Sequence, residues 1–202
     1  MGRKSLKTTR QKEIIKAFYK IAKKEGLENA SIVKTAAAMN INPSLIMHYF
    51  QTKEYLLYGL VEYILDKYLL IYQVNGKKEL DSRGTLLMVI DNIFSKKWNT
   101  LFDDGVSYSC YSLTFRDKEI RKKYKLLLDS LRKTLEEQIK TCNREGVISV
   151  KDPAFTADLI FVLVDGAYYY LSLVDDKKEY NSKLDIYKQQ ALQLLNLRAP
   201  VS

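Results

Sequence analysis

The sequence predicts an all-α fold of about nine helices, and three observations support that prediction. The 202 residues include only 3 Pro and 8 Gly, too few for a turn-rich all-β fold. Apolar residues recur at helical spacing along most of the chain, and no segment alternates as a strand does. The hydrophobic content of 47% favours a globular chain over a disordered one. We expect three N-terminal helices within residues 1–55 and a helical body over residues 56–202.

The first predicted helix covers Arg10–Glu25 and follows a basic tail, Met1–Thr9. Lysines occupy one side of this helix, and an apolar stripe runs along the other. The stripe consists of Ile14, Ala17, Phe18, Ile21 and Ala22. Gly26 is expected to end the helix, because glycine adopts the left-handed conformation without strain.

Residues 31–50 predict two short helices joined by a tight turn. Ser31 is a good N-cap for the first helix, and Asn42 followed by Pro43 is a good start for the second. Asn40 lies at the turn, where asparagine tolerates the left-handed conformation. Such a pair can place its second helix in the major groove of DNA.

The body is predicted to begin with a long fourth helix, Lys53–Gln73, which has a broad apolar face. Val74–Gly84 is the clearest loop of the chain. Five further helices are predicted at Thr85–Phe102, Val106–Phe115, Lys118–Glu145, Pro153–Val174 and Ser182–Leu197.

The net charge of +9 is concentrated near the N-terminus. Residues 1–55 hold 11 Lys/Arg and 4 Asp/Glu, a net of +7, whereas residues 56–202 are nearly balanced at +2. A concentrated basic region favours a polyanionic partner, either nucleic acid or a membrane surface, although a basic helix can also be merely well solvated. On DNA, Lys4, Lys7 and Arg10 can add groove or backbone contacts.

Several function classes are disfavoured. A single histidine argues against a His-rich metal centre, and the chain has neither a GxGxxG nor a P-loop motif, so we expect no enzyme, metal or cofactor. Cys110 and Cys142 suit free thiols in a reducing cytosol, although one disulfide stays open, and we expect Cys110 to be a small core hydrophobe. The most apolar run, Leu159–Val164, is far shorter than the roughly 20 residues of a bilayer span, so we expect a cytoplasmic protein.

The N-terminal quarter resembles the DNA-binding domain of the TetR family of transcriptional regulators. The resemblance is carried by Ser31, Thr35-Ala36, Met39-Asn40-Ile41-Asn42, Ile46-Met47-His48-Tyr49-Phe50 and Lys53-Glu54. The spacing holds without a gap, while Thr35, Asn40, Met47 and Tyr49 depart from the residues usual in the family. The resemblance implies a homodimer that binds a palindromic operator and mostly represses transcription, with a small ligand that enters the body and moves the DNA-binding heads apart.

The outer face of the third helix is then expected to read base edges. Ser44 and His48 can each donate or accept a hydrogen bond, and Pro43 and Met47 offer apolar contact to thymine methyl groups. That helix contains no Arg, Asn or Gln, so we expect much of the specificity to come from DNA shape and water. The residues expected to contact phosphates are Ser31, Lys34, Asn42, Tyr49 and Lys53.

Some of these residues have a structural alternative. His48 can be an ordinary packing or surface histidine. Tyr49 can pack against the fourth helix, and Met47 can serve helix packing alone. Lys53 is the best supported of the set, because it matches the family pattern and lies at a helix start.

An effector site is implied by the family, in which the middle helices line a ligand cavity. Thirteen of the 15 tyrosines lie at positions 55–187, and an aromatic lining suits a hydrophobic or cationic ligand. The predicted lining residues are Phe94, Trp98, Tyr108, Tyr111 and Phe115. The alternative is that these side chains are ordinary core.

The last two helices are expected to form the dimer as a four-helix bundle about a two-fold axis. The predicted interface residues are Leu159, Val162, Leu163, Gly166, Ala167, Tyr170, Tyr187, Ala191, Leu194 and Leu195. The alternative is a helix pair contained within one chain. A second reading of the whole protein also stays open: a non-specific basic protein that associates with DNA or a membrane surface without ligand control.

Overall fold

The computed structural model describes residues 3–73 and 80–197. These residues form nine α-helices of eight residues or more and one single-turn helix, and their only extended pairing is an isolated bridge between Ile148 and Leu197. The all-α class and the count of about nine long helices are confirmed. The helices are α1 (Arg3–Glu25), α2 (Ile32–Met39), α3 (Pro43–Phe50), α4 (Lys53–Tyr68), α5 (Ser82–Ile93), α6 (Trp98–Leu101), α7 (Asp104–Ser112), α8 (Lys118–Arg144), α9 (Pro153–Leu171) and α10 (Lys177–Leu194), with 3-10 turns at Leu69–Tyr72 and Leu113–Phe115.

The chain divides into two compact units. The first comprises Met1–Tyr68 and Lys97–Tyr124, and the second comprises Leu69–Lys96 and Lys125–Ser202. The first unit groups α4 and α7 with the three N-terminal helices. A domain boundary after residue 55 stays a prediction.

Close packing explains why α4 belongs with the first three helices. A Cβ atom built on Gly59 would lie 2.9 Å from Cδ1 of Ile15 and 3.2 Å from Cε1 of Phe50. Glycine at this position therefore lets α4 approach α1 and α3 more closely than any other residue would. Leu56 and Leu60, on either side of this contact, are fully buried.

The second unit has its own core between α5, α8, α9 and α10. Leu86 and Ile90 of α5, Leu135 of α8 and Ile160 of α9 are all fully buried. α10 adds Ala191 to the same unit and packs against both α9 and α5. This core holds the last two helices in place and leaves one side of α9 exposed.

Two helix starts differ from the sequence prediction. α1 begins at Arg3, so most of the predicted tail is helical. α10 begins at Lys177 rather than Ser182, because Asp176 caps it by accepting hydrogen bonds from the backbone N–H groups of Lys178 and Glu179.

The predicted fifth helix is shorter than expected. It ends at Ile93, and only the single turn α6 follows. The Tyr168 hydroxyl donates to the Ile93 carbonyl at 2.9 Å and to the Ser95 carbonyl at 3.3 Å, which satisfies groups that a continuing helix would have used.

Of the predicted loop Val74–Gly84, residues 74–79 lie outside the described residues. Its last part is not loop, because Asp81 caps α5 by accepting a hydrogen bond from the Gly84 N–H. The end of the predicted fourth helix also differs, since Leu69–Tyr72 forms a 3-10 turn whose Ile71 carbonyl accepts from Asn92.

Candidate nucleic-acid interface

The turn between α2 and α3 has the geometry that the sequence predicts. Asn40 adopts the left-handed conformation at φ 52° and ψ 47°, and the Ile41 N–H donates to the Ala36 carbonyl at 3.0 Å. Asn42 caps α3, and Pro43 occupies its first turn. The Ser31 Oγ accepts from the Lys34 N–H and caps α2, so both predicted caps and the turn residue are confirmed.

The inner side of this helix pair is anchored in the first unit. Ile46 and Phe50 are buried, as the spacing predicts. Thr35 is fully buried as well, and its hydroxyl donates to the Ser31 carbonyl at 2.8 Å. That bond satisfies the polar atom and explains how threonine is tolerated at a core position.

The opposite side of α3 is open. We call Pro43, Ser44, Met47 and His48 the reading face. Ser44 and His48 are exposed, Met47 is 51% exposed, and Pro43 is half-buried. An exposed methionine contributes little to the packing of its own chain, so the exposure of Met47 favours the contact interpretation over the packing one.

Two serines near the reading face have opposite hydrogen-bonding capacity. The Ser31 Oγ accepts from the Lys34 N–H at 3.2 Å, which leaves its own O–H able to donate to a phosphate. The Ser44 Oγ donates to the Asn42 Oδ1 at 2.8 Å, so its remaining lone pairs can only accept. The Asn42 oxygen also accepts from the Ser44 N–H at 2.9 Å, which leaves the amide NH₂ of Asn42 for an outside acceptor.

The two lysines predicted to contact phosphates, Lys34 and Lys53, have different surroundings. The Lys34 Nζ lies 2.6 Å from Oε2 of Glu25, and the hydrogen bond from Lys34 lowers the pKa of that carboxyl. Lys53 lies half-buried at the start of α4. Sequence reasoning did not predict the partner of Lys34, because α1 and α2 had first to be placed side by side.

Tyr49 lies at the edge of the reading face and is half-buried. Its ring meets the His48 ring edge-on with centroids 5.3 Å apart, and its carbonyl accepts from the Gln11 side chain at 3.4 Å. The hydrogen bond from Gln11 holds the end of α3 against α1. Sequence reasoning missed Val33, which is 66% exposed on α2 although its residue type suggested core.

Of the predicted effector residues, Tyr111 and Phe115 are in contact, with ring centroids 5.8 Å apart. Tyr108, Tyr111 and Phe115 lie on the outer side of α7 and the turn that follows, and Phe115 is 69% exposed. Val106 and Cys110 occupy the buried side of the same helix. The role of Tyr108, Tyr111 and Phe115 in a ligand site stays a prediction.

Phe94 and Trp98 are both buried, but they belong to different compact units. Trp98 stacks on Tyr68 with ring centroids 6.4 Å apart and lies 5.4 Å from Phe102. These contacts are those of an ordinary core residue, which is the alternative stated above for Trp98.

The side chain of Lys67 lies among aromatic rings of the first unit. The Lys67 ammonium is 4.6 Å from the ring centroids of Tyr19 and Tyr63 and donates to the Leu101 carbonyl at 2.5 Å. Burial lowers the pKa of this lysine, while the rings and the carbonyl favour its charged form. The contact joins α1, α4 and the end of α6.

Both thiols are free and buried. Burial raises the pKa of the Cys110 thiol to about 12, which removes the thiolate needed for redox chemistry at neutral pH. Cys142 donates to the Ser82 carbonyl at 3.3 Å. Within the described ranges, no group of three or more His, Cys, Asp or Glu side chains is placed to hold a metal ion.

The exposed side of α9 carries an apolar stripe, which we call the outer stripe. Its members repeat at intervals of four and three residues and are half-buried or exposed: Phe155, Leu159, Val162, Gly166 and Tyr169. Val162 is 56% exposed, and nothing lies within 4 Å of a Cβ built on Gly166. Over its length of about 21 Å the stripe therefore offers a smooth apolar surface to a partner.

The predicted interface residues divide into two groups. Leu159, Val162, Leu163, Gly166, Tyr170, Tyr187 and Leu194 are exposed or half-buried. Ala167, Ala191 and Leu195 are buried within their own chain and offer no surface to a partner. The candidate surface is therefore the outer stripe with its neighbours, and sequence reasoning missed Phe155, Tyr169 and the exposed Ile186 of α10.

In the part of the chain that the structure describes, α9 is the one helix long and apolar enough to cross a bilayer by length and composition, with 33% of the tested window buried. Asp158 and Asp165 lie within it and pair with Arg132 of α8 at 3.0 and 3.3 Å. Charged groups within a membrane span are costly, so we interpret the apolar side of α9 as a protein contact.

Comparison with known proteins adds two findings. A family model described as "Tetracyclin repressor-like, C-terminal domain" matches residues 81–197, more than half of the chain. No curated protein matches the sequence significantly.

Solved structures share the fold over nearly the whole chain. A TetR transcription regulator from Haloarcula marismortui is 19% identical with a TM-score of 0.79, over 95% of this chain and 100% of its own. One from Chloroflexus aurantiacus is 16% identical with a TM-score of 0.76, over 96% and 100%. A transcriptional regulator from Saccharomonospora viridis, solved in complex with choline, is 17% identical with a TM-score of 0.67, over 92% and 95%.

Proposed function

Because the chain belongs to the TetR family of transcriptional regulators, we propose that it is a homodimeric repressor that binds a palindromic operator and is released from it by a small ligand. The family fold makes it a DNA-binding regulator. The repressor role, the palindrome and the ligand are the parts that we propose.

The observation that carries the proposal is the helix pair α2–α3. Its inner side is buried in the first unit, while the reading face stays open and the caps at Ser31 and Asn42 point polar groups outward. A rigid support with an exposed second helix is what insertion into a major groove requires. The net charge of +7 over residues 1–55 supplies attraction to phosphates.

The outer stripe supports the homodimer. Monomeric proteins rarely expose a continuous apolar surface of this length, and a second copy offers an identical surface to cover it. Two copies related by a two-fold axis would present two reading faces to two half-sites, which is why a palindrome is the expected target.

The ligand part of the proposal rests on the aromatic content of the first unit and on a relative. Tyr68, Trp98 and Phe102 are in contact with one another in this unit, and aromatic side chains suit a hydrophobic or cationic molecule. The Saccharomonospora viridis regulator, of the same fold, was solved with choline, a cation. We propose the same class of ligand here, with action in the cytoplasm and no catalytic role.

Selection of bound DNA from a random pool, at near-physiological salt, tests the proposal. Enrichment of a palindrome with half-sites about 10 base pairs apart is the expected result. Binding that enriches no sequence and fades uniformly with salt would instead indicate a non-specific basic protein.

A further inference from the structure

The reading face lacks the groups that usually recognise guanine. Guanine is read mainly by Arg or Lys, which bond to its O6 and N7 atoms in pairs. α3 has the sequence PSLIMHYF and carries neither residue. Of the two lysines predicted to contact phosphates beside this helix, Lys34 is paired with Glu25 and Lys53 belongs to the next helix.

Apolar surface takes the place of these cations. Met47 exposes half of its side chain, and Pro43 lies one helical turn before it on the same side of α3. Only one group on the major-groove edges of the four bases is apolar, the C5-methyl of thymine. An exposed thioether chain is flexible and polarisable, and it can close over a methyl group.

The hydrogen bonds of α3 indicate which bases Ser44 can contact. The Ser44 hydroxyl proton is held by Asn42 at 2.8 Å, so towards DNA the oxygen is an acceptor. Major-groove donors belong to adenine N6 and cytosine N4, not to guanine or thymine. Ser44 can therefore accept from adenine or cytosine, and only adenine is paired with a thymine that presents its methyl group nearby.

We propose that the operator half-site is recognised mainly through thymine C5-methyl groups, with Met47 as the residue that reads them and Ser44 as an acceptor from the paired or adjacent adenine. The inference rests on the proposed function, since it requires a sequence-specific operator. It adds the chemical group that the protein recognises and the side chain responsible.

Single-atom substitution in the DNA tests this directly. In the operator obtained by selection, each thymine is replaced in turn by uracil, which removes the methyl group and keeps every hydrogen-bonding atom. Affinity is measured by fluorescence anisotropy. At one or two positions in each half-site we expect binding about fourfold weaker per methyl group, the loss expected for one buried methyl.

The protein variants assign the effect to a residue. Met47→Ala should bind the thymine and uracil operators equally well at the sensitive position, whereas Met47→Leu should keep the difference. Val33→Ala removes another exposed apolar side chain of the same helix pair and should also keep it. Circular dichroism and sedimentation check that each variant is folded and dimeric.

The outcomes separate the two proposals. A selected palindrome that binds equally well with uracil at every position would overturn methyl recognition and leave the regulator proposal standing. A palindrome whose uracil sensitivity survives in Met47→Ala would overturn the role of Met47. A pool with no enriched sequence would overturn the proposed function itself and the inference with it.

Discussion

The outer stripe of α9 and the reading face of α3 are both exposed helix sides, but they differ in length and chemistry. The outer stripe runs along most of a 19-residue helix and consists of Phe, Leu, Val, Gly and Tyr. The reading face belongs to an eight-residue helix and combines one methionine and one proline with a serine and a histidine. The first is a surface that water disfavours throughout, and the second is one that water tolerates.

This difference indicates two kinds of partner. A long apolar stripe gains free energy from burial, which does not depend on phosphate contacts, and the interfaces of permanent complexes are the more hydrophobic ones. A short mixed face next to basic residues gains from phosphate contacts and base edges, which weaken steeply as salt rises. One surface suits permanent assembly, and the other suits reversible binding.

The largest effect is expected from a charge in the outer stripe. Val162→Asp should weaken the dimer about a thousandfold, because it buries an unpaired carboxylate at the centre of the proposed interface. Sedimentation should show a folded monomer. Leu126→Asp, a change at an exposed apolar residue of α8 outside the stripe, is the matched control. A Val162→Asp protein that sediments as a dimer would remove this interface.

Ala167, another of the predicted interface residues, is not a suitable site for this test. It is buried within its own chain, so a charge there would damage the core of the second unit and not the interface alone. Val162 separates the two effects because its side chain is exposed before any partner binds.

The next effect is expected at Lys53. Lys53→Ala should weaken binding to every DNA sequence by about tenfold and reduce the slope of log affinity against log salt by about 1 per protomer. Folding and dimerisation should be unchanged. Lys133→Ala on α8 makes the same charge change in the second unit, at a residue not predicted to contact DNA, and should leave affinity unaltered. Equal effects from both lysines would mean that only net charge matters.

A smaller and different effect is expected at His48. His48→Ala should cost about fivefold in affinity for the operator and less for unrelated DNA, because it removes a base contact and no phosphate contact. The measurement compares affinities for the operator and a scrambled duplex. Equal weakening of both affinities would indicate that His48 contacts the phosphate backbone of DNA, as Lys53 is expected to do, and not a base.

The smallest effect is a gain. Glu25→Gln should tighten DNA binding about threefold at low salt, because it releases Lys34 from an exposed ion pair that is itself worth little. The pKa of Glu25 is lowered, so the pair is complete at neutral pH and is lost only as pH falls through that lowered value. Glu28→Gln, with the same charge change beside it, should gain less. No gain over this control would show that Lys34 makes no phosphate contact.

Local signals were the most predictable part of the structure. Asn40, Asn42 and Pro43 determine the turn and the start of α3 through their own backbone preferences, and no distant residue is needed. The end of α5 was not predictable in this way, because the Tyr168 hydroxyl that satisfies its carbonyls lies 75 residues further along the chain. The start of α10 could have been predicted, since Asp176 is a recognisable N-cap residue.

Choosing which side of a helix faces inward was harder than finding the helix. Tyr108 and Tyr111 share one side of α7, and Phe115 lies in the turn that follows. The sequence shows that shared side, but not that Val106 and Cys110 on the other side are the ones that are buried. Both sides are apolar, so periodicity alone does not decide between them. The same limit applies to α10, where Ala191 is buried while Ile186 is exposed.

The outer stripe also links this protein's stability to its own abundance. In the proposed dimer, unfolding one particle releases two chains, so by mass action the thermal midpoint rises as the protein is concentrated. Below the dissociation constant of the dimer, the concentration of DNA-binding species falls with the square of the protomer concentration. A twofold dilution of the protein during cell growth and division would then lower the amount of active dimer about fourfold, which makes the level of synthesis itself part of the control.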